Sequence, residues 1–198
     1  MTAATGTAAT TRPLSVCLFC ASADGLPEPA RRAAVAFGTA CGQRGWRLVY
    51  GGSGRGLMGE AARAALAAGG DVVGVMVRML MARESADTGL PDLRIVETFA
   101  ERKQMMADLS DLFVALPGGI GTLDEMLEMM TWHDVGLHDK PTLLCDVDGF
   151  WAPFCRMLDA MRGYGVLRPS AARTCERLPD VDAVIARIDE FAATLRRI

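Results

Sequence analysis

The sequence predicts a single-domain α/β protein built on a doubly wound parallel sheet with helices on both faces. Three observations predict it. Strand-length apolar runs alternate with longer stretches of helical period from residue 14 onward, the pattern of parallel strands joined by crossover helices. The runs at 15–20 and 112–116 are apolar almost throughout, as strands buried on both faces are. Two glycine-rich segments, 51–59 and 117–121, each follow such a run and lead into a helix, where open α/β sheets carry their ligand loops. A chain of 198 residues, 51% of them hydrophobic, is enough for one sizeable core.

In order along the chain, residues 1–13 are small and polar and predict a disordered N-terminal tail ahead of a domain spanning 14–198. The tail lacks the basic start and apolar stretch of a signal peptide. No later run has the roughly 20 apolar residues of a membrane helix, so the cytoplasm is the expected compartment. A strand at 15–20 is followed by a helix at 29–44, opened by Pro29 and closed by Gly45. A strand at 47–50, the first glycine loop, a helix at 60–68 and a strand at 72–77 come next. Residues 79–91 have no clear period and read as a long loop, which in a compact domain is often functional. Then come a short strand at 93–96, a helix at 101–109, the strand at 112–116, the second glycine loop and a helix at 122–132. A strand at 142–145 and helices at 151–161 and 181–195 complete the series.

The formal net charge of −3 gives no electrostatic case for nucleic acid or an anionic membrane as partner. Cys17 and Cys20 form a C-x-x-C, but no second pair completes a zinc site, and both sit in an apolar run; the six cysteines read as core residues. No metal and no cofactor is expected. Only Lys103 and Lys140 are lysines, so a pyridoxal-phosphate lysine decarboxylase would need one of them for its aldimine. Lys103 stands beside an anion-binding loop and Lys140 precedes Pro141 in a connecting segment.

The sharpest local signal is Gly118-Gly119-Ile120-Gly121-Thr122-Leu123-Asp124-Glu125. Glycines after a buried strand let backbone amides approach a ligand, and the helix start adds partial positive charge. Thr122 can cap that helix and reach a phosphate oxygen. The first glycine loop contains G-x-G-x-x-G at Gly54, Gly56 and Gly59. No acid follows at the end of the next strand, so it is read as a nucleotide or sugar-phosphate contact without a nicotinamide cofactor. Arg102 and Lys103 put two cations near a helix start, where they forgo dipole stabilisation, a hint of a task. Glu125 lies one turn into the helix behind the phosphate loop.

Together these residues resemble the Lonely Guy family of cytokinin riboside 5′-monophosphate phosphoribohydrolases, often labelled lysine decarboxylases. The resemblance runs from about Leu14 to about Ala172. It rests on PGG-x-GT-x-x-E at Pro117–Glu125 and on Arg102-Lys103. Leu48-Val-Tyr-Gly-Gly, Gly56-Leu-Met-Gly59, Ser110-Asp111, Thr131-Trp132, Lys140-Pro141 and Val147-Asp148-Gly149 support it. Ala100, Asp124 and Cys20-Ala21-Ser22-Ala23 depart from the family pattern, as does Gly51-Gly52-Ser53. None of these removes a catalytic group.

The resemblance implies a Rossmann-like fold and hydrolysis of the N-glycosidic bond of an N6-modified adenosine 5′-monophosphate, giving free base and ribose 5-phosphate. It implies that Arg102 and Glu125 are catalytic. It also implies that Glu84, Arg102, Lys103, the Gly119–Glu125 loop and Thr131 bind substrate. A broader purine-nucleotide nucleosidase, or a non-catalytic nucleotide or molybdenum-cofactor binding protein, are the alternatives. The base pocket is expected to draw on Met58, 79–81 and 126–130. Thr131 lies six residues beyond Glu125 and so points about 120° away on an ideal helix. One site using both residues calls for a second subunit, and a homodimer is expected.

Overall fold

The structure, a computed structural model, describes residues 12–81, 85–168 and 174–195. It has one parallel seven-stranded sheet in the order β4-β3-β2-β1-β5-β6-β7. In chain order the elements are β1 (Ser15–Phe19), α1 (Glu28–Arg44), β2 (Arg47–Tyr50), α2 (Gly56–Ala67), β3 (Asp71–Val77) and β4 (Asp92–Val96). These are followed by α3 (Phe99–Asp108), β5 (Leu112–Ala115), α4 (Ile120–Asp134), β6 (Thr142–Cys145), α5 (Ala152–Gly163), β7 (Cys175–Leu178) and α6 (Val181–Leu195). The chain winds outward from β1 to β4, crosses back under α3, and winds outward the other way from β5 to β7. Strand order therefore reverses between β1 and β5. There the two loops that follow those strands part and open a crevice.

The sheet separates two apolar layers. On one side α1, α2 and α6 bury Phe37, Leu57 and Ile188. On the other, α3, α4 and α5 bury Met106, Met126 and Phe154. β1 and β5 are enclosed by both layers, which is why their runs are continuously apolar. All six cysteines are free, with Cys17 and Cys20 fully buried. Burial pushes both thiols well above their ordinary range. Among the described residues no helix is long and apolar enough to cross a membrane.

Three sequence expectations are corrected. β7 was not expected: its Cys-Glu-Arg-Leu run is partly exposed and charged, as edge strands are, and carries no apolar signal. α2 starts at Gly56 rather than at residue 60, so the second half of the first glycine loop is helical. α4 starts at Ile120 rather than at residue 122; Gly119 is its N-cap, with no side-chain cap, so Thr122 does not cap it. The expected tail lies outside the described residues except for its last two. The long loop after β3 is less free than its sequence suggests. It is stitched to the first glycine loop by Gly54 N–H to Ser85 O (2.9 Å) and Asp87 N–H to Gly52 O (3.0 Å).

Candidate active site

The crevice at the switch point is floored by the β1 and β5 loops. Past the strand ends the two chains stay joined: the Leu116 amide donates to Phe19 O (3.0 Å) and the Ala21 amide to Pro117 O (3.2 Å). The Leu57 amide at the start of α2 donates to Ala21 O (3.0 Å) and brings Met58 to the rim. An inner chamber of about 220 Å³ is lined by Cys20–Ala23, Met58, Arg102, Gly119, Gly121, Thr122 and Glu125. A wider outer chamber of about 450 Å³ shares Ser22, Ala23, Arg102 and Gly121 with it and adds Arg55, Leu80 and Phe99.

One wall of the inner chamber is the start of α4. The first intrahelical bond there runs from Leu123 N–H to Gly119 O (3.0 Å). The amides of Ile120, Gly121 and Thr122 come before it and have no intrahelical partner. Added Cβ atoms at Gly119 or Gly121 would meet nothing within 4 Å, so this backbone faces open space. Gly118 has a different task. A Cβ there would come within 2.1 Å of Thr122 Oγ1, so only glycine lets the buried Thr122 pack back onto the loop.

Facing α4 is Arg102. The first turn of α3 is set by a reciprocal cap: Thr98 Oγ1 accepts from the Glu101 amide (3.1 Å) and the Glu101 carboxylate accepts from the Thr98 amide (3.3 Å). The acid that the helix dipole favours is thus present at Glu101, and Arg102 turns inward. Its Nε donates to Val75 O (2.9 Å) and Nη2 to Gly51 O (3.0 Å). Nη1 lies 3.0 Å from Glu125 Oε1, and both side chains are only 6% exposed. Gly51 makes room for this: a Cβ there would sit 2.1 Å from Arg102 Nη2. Each guanidinium nitrogen is engaged, so Arg102 holds a carboxylate at a fixed place in the chamber wall.

The other predicted residues divide. Gly119, Gly121, Thr122, Arg102 and Glu125 line the crevice together. Ile120 is 81% exposed, and Leu123 packs against the core layer under α3 to α5. Lys103 is not in the crevice lining; its ammonium is held by Asp124 (3.0 Å) and Glu128 on the side of α4. Burial alone would lower that amine, but the two carboxylates outweigh it and hold the pKa above the ordinary lysine value. Thr131 is on the exposed face of α4, its hydroxyl donating to Leu127 O (2.7 Å). Glu84 lies outside the described residues. Lys140 Nζ donates to Ala107 O (2.7 Å); neither lysine lines the crevice, which leaves an aldimine-forming amine no place there.

Of the expected base pocket, Met126, Met129 and Met130 are core residues, whereas Met58 does line the crevice. Arg55 lies in the first glycine loop, which the sequence reading made a nucleotide contact, and it does line the crevice. Sequence reasoning missed Phe99 and the β1 loop. The β1 loop had a signal in its position after the strand that begins the winding. Phe99 had none, because nothing local marks which residue at a helix start faces a distant crevice.

With this geometry in hand, comparison with known proteins is decisive for the family. The family model described as "Possible lysine decarboxylase" matches residues 58–188. The rice (Oryza sativa subsp. japonica) protein named cytokinin riboside 5′-monophosphate phosphoribohydrolase LOG is 39% identical over 176 residues, 89% of this chain and 73% of its own. The chain belongs to the Lonely Guy family. The family relative LOG3 of Arabidopsis thaliana is 36% identical over 183 residues, covering 92% of this chain and 85% of its own. Among solved structures, the molybdenum cofactor carrier protein of Chlamydomonas reinhardtii matches with a TM-score of 0.70 at 22% identity. That match covers 92% of this chain and 99% of the other, and shows a shared Rossmann-like fold.

Proposed function

We propose that the protein hydrolyses the N-glycosidic bond of a purine nucleoside 5′-monophosphate of the N6-modified adenosine class, releasing free base and ribose 5-phosphate. The observation that carries the reading is one chamber lined by both the buried Arg102–Glu125 pair and the start of α4, which has no side-chain cap. The names of the relatives support it: the rice and Arabidopsis proteins are named for this reaction. The amides at the start of α4 bind the 5′-phosphate, whose negative charge suits a helix N-terminus. That anchor holds the ribose against Glu125 and uses remote binding to orient the reacting carbon. As the bond to the base breaks, positive charge develops on the ribose ring, and the Glu125 carboxylate stabilises it. Water supplies a hydroxyl to the ribose carbon and a proton to the base. Arg102 is assigned the positioning of Glu125. Lys103, bound to Asp124 and Glu128, is assigned an indirect part through the α3–α4 contact.

Thr131 faces away from Glu125 on an exposed helix face that also presents Leu127 and Val135. A substrate contact by Thr131 therefore belongs to a neighbouring copy's site, and we assign the active form to a homodimer packed on α4. A strictly monomeric protein with full activity would refute that assignment. The free thiols fit a reducing compartment, and the cytoplasm is the assigned location.

The test is free-base release measured by chromatography with AMP, isopentenyladenosine monophosphate and the two matching nucleosides. Release from the monophosphates alone, lost in Glu125→Gln, is expected. A folded protein that binds AMP yet releases no base would leave a nucleotide-binding protein instead.

A further inference from the structure

We propose that Phe99, in the chamber it lines together with Leu80, is the base-stacking wall of the site and sets its preference for purines with an apolar substituent. This rests on the glycosidase reading and adds the determinant of base choice. Of the expected base pocket, Met58 lines the inner chamber and Leu80 of 79–81 the outer one, but the methionines of 126–130 do not contribute. Met126, Met129 and Met130 are buried in the core and cannot reach a ligand.

The argument starts from which end of the substrate each chamber takes. The inner chamber holds the amides of α4 and the Arg102–Glu125 pair, so it takes phosphate and ribose. The base then extends through the shared opening at Ser22, Ala23, Arg102 and Gly121 into the outer chamber. Among the described residues lining either chamber, Phe99 is the only aromatic. It is the first residue of α3, three before Arg102, so both side chains lie on one helix face. The same Thr98–Glu101 cap that turns Arg102 inward therefore also fixes where Phe99 stands.

Phe99 is 46% exposed, an apolar ring held at the edge of the crevice with no shelter in the core. Leu80, on the short turn after β3, gives the chamber a second apolar wall. Arg55 closes the chamber on its polar side, tied back by Asp24 through Nε (2.9 Å). A flat, partly apolar base fits a chamber with one aromatic wall, one aliphatic wall and one cation. With about 450 Å³ against about 220 Å³ for the inner chamber, there is room for an apolar group on the ring.

The experiment is steady-state kinetics of wild type, Phe99→Ala and Phe99→Trp on AMP and on isopentenyladenosine monophosphate. Inhibition by ribose 5-phosphate serves as the internal reference. In Phe99→Ala, KM should rise about tenfold for the prenylated substrate, equivalent to about 1.4 kcal/mol, within the range of base–aromatic stacking. The rise should be smaller for AMP, and the ribose 5-phosphate inhibition constant should hold. Phe99→Trp should restore KM. Unchanged KM for both nucleotides, or an equal rise in the ribose 5-phosphate constant, would overturn the assignment. A readout independent of turnover is calorimetric binding of AMP and ribose 5-phosphate to Glu125→Gln with and without Phe99→Ala. Selective loss of AMP affinity supports the stacking wall even if no base is ever released, whereas equal affinities refute it while leaving hydrolysis standing.

Discussion

Replacing Arg102 with methionine removes one guanidinium and with it a donor to three acceptors: the Val75 and Gly51 carbonyls and the Glu125 carboxylate, all within 3.0 Å of it. Methionine roughly keeps the buried stem, so packing changes little. The loss is electrostatic. Breaking a buried ion pair by deleting one partner leaves an uncompensated charge and costs about 3–5 kcal/mol. For a domain of this size each kcal/mol moves Tm by about 2–4 °C, so Tm should fall by roughly 6–20 °C. The double variant Arg102→Met/Glu125→Gln removes both charges of the pair and should recover much of that loss, with a coupling energy of at least about 1 kcal/mol. Urea unfolding of wild type, both single variants and the double variant measures it. If Arg102→Met stayed within about 1 kcal/mol of wild type, or the two substitutions simply added, the pair would not be the buried, mutually dependent device described above.

Two predictions concern the rest of the molecule. In Gly38→Ala the new Cβ would meet Ala61 O at 2.1 Å where α1 crosses α2; overpacking of about 1–3 kcal/mol should appear as a lower Tm with KM unchanged. Burial raises the thiols of Cys41 and Cys145 from 9.0 to about 12. Since the native state keeps protons that the unfolded chain gives up, their contribution is whole below the unfolded value. It is lost as pH rises from about 9 toward 12, by about 1.4 kcal/mol per pH unit for each thiol. Urea midpoints should therefore fall steeply above about pH 9, and less steeply in Cys41→Ala/Cys145→Ala; a flat profile would contradict the burial.

The sequence by itself determined the doubly wound parallel class, six of the seven strands and the glycine loop ahead of α4. Continuous apolar runs such as 112–116 can only be strands enclosed on both faces, and glycines between strand and helix have a local backbone meaning. Arg102 was legible as a cation out of place at a helix start and Glu125 as an acid behind the phosphate loop, and the family resemblance tied them together. The tertiary structure decided what each charge faces. Arg102 and Lys103 are adjacent in the chain, yet one turns into the crevice to hold Glu125 and the other turns out to Asp124 and Glu128. The difference is about 100° of helical rotation seen from α4, which lies on another strand's crossover. Met126 and Phe99 show the same limit in the apolar residues. Met126 was expected in the base pocket and Phe99 was not, but the side of α4 that meets the sheet buries the first, and the start of α3 leaves the second on the rim of the crevice. Local pattern sets which face of an element is apolar; only the packing of distant elements sets which of those faces is left open to a substrate.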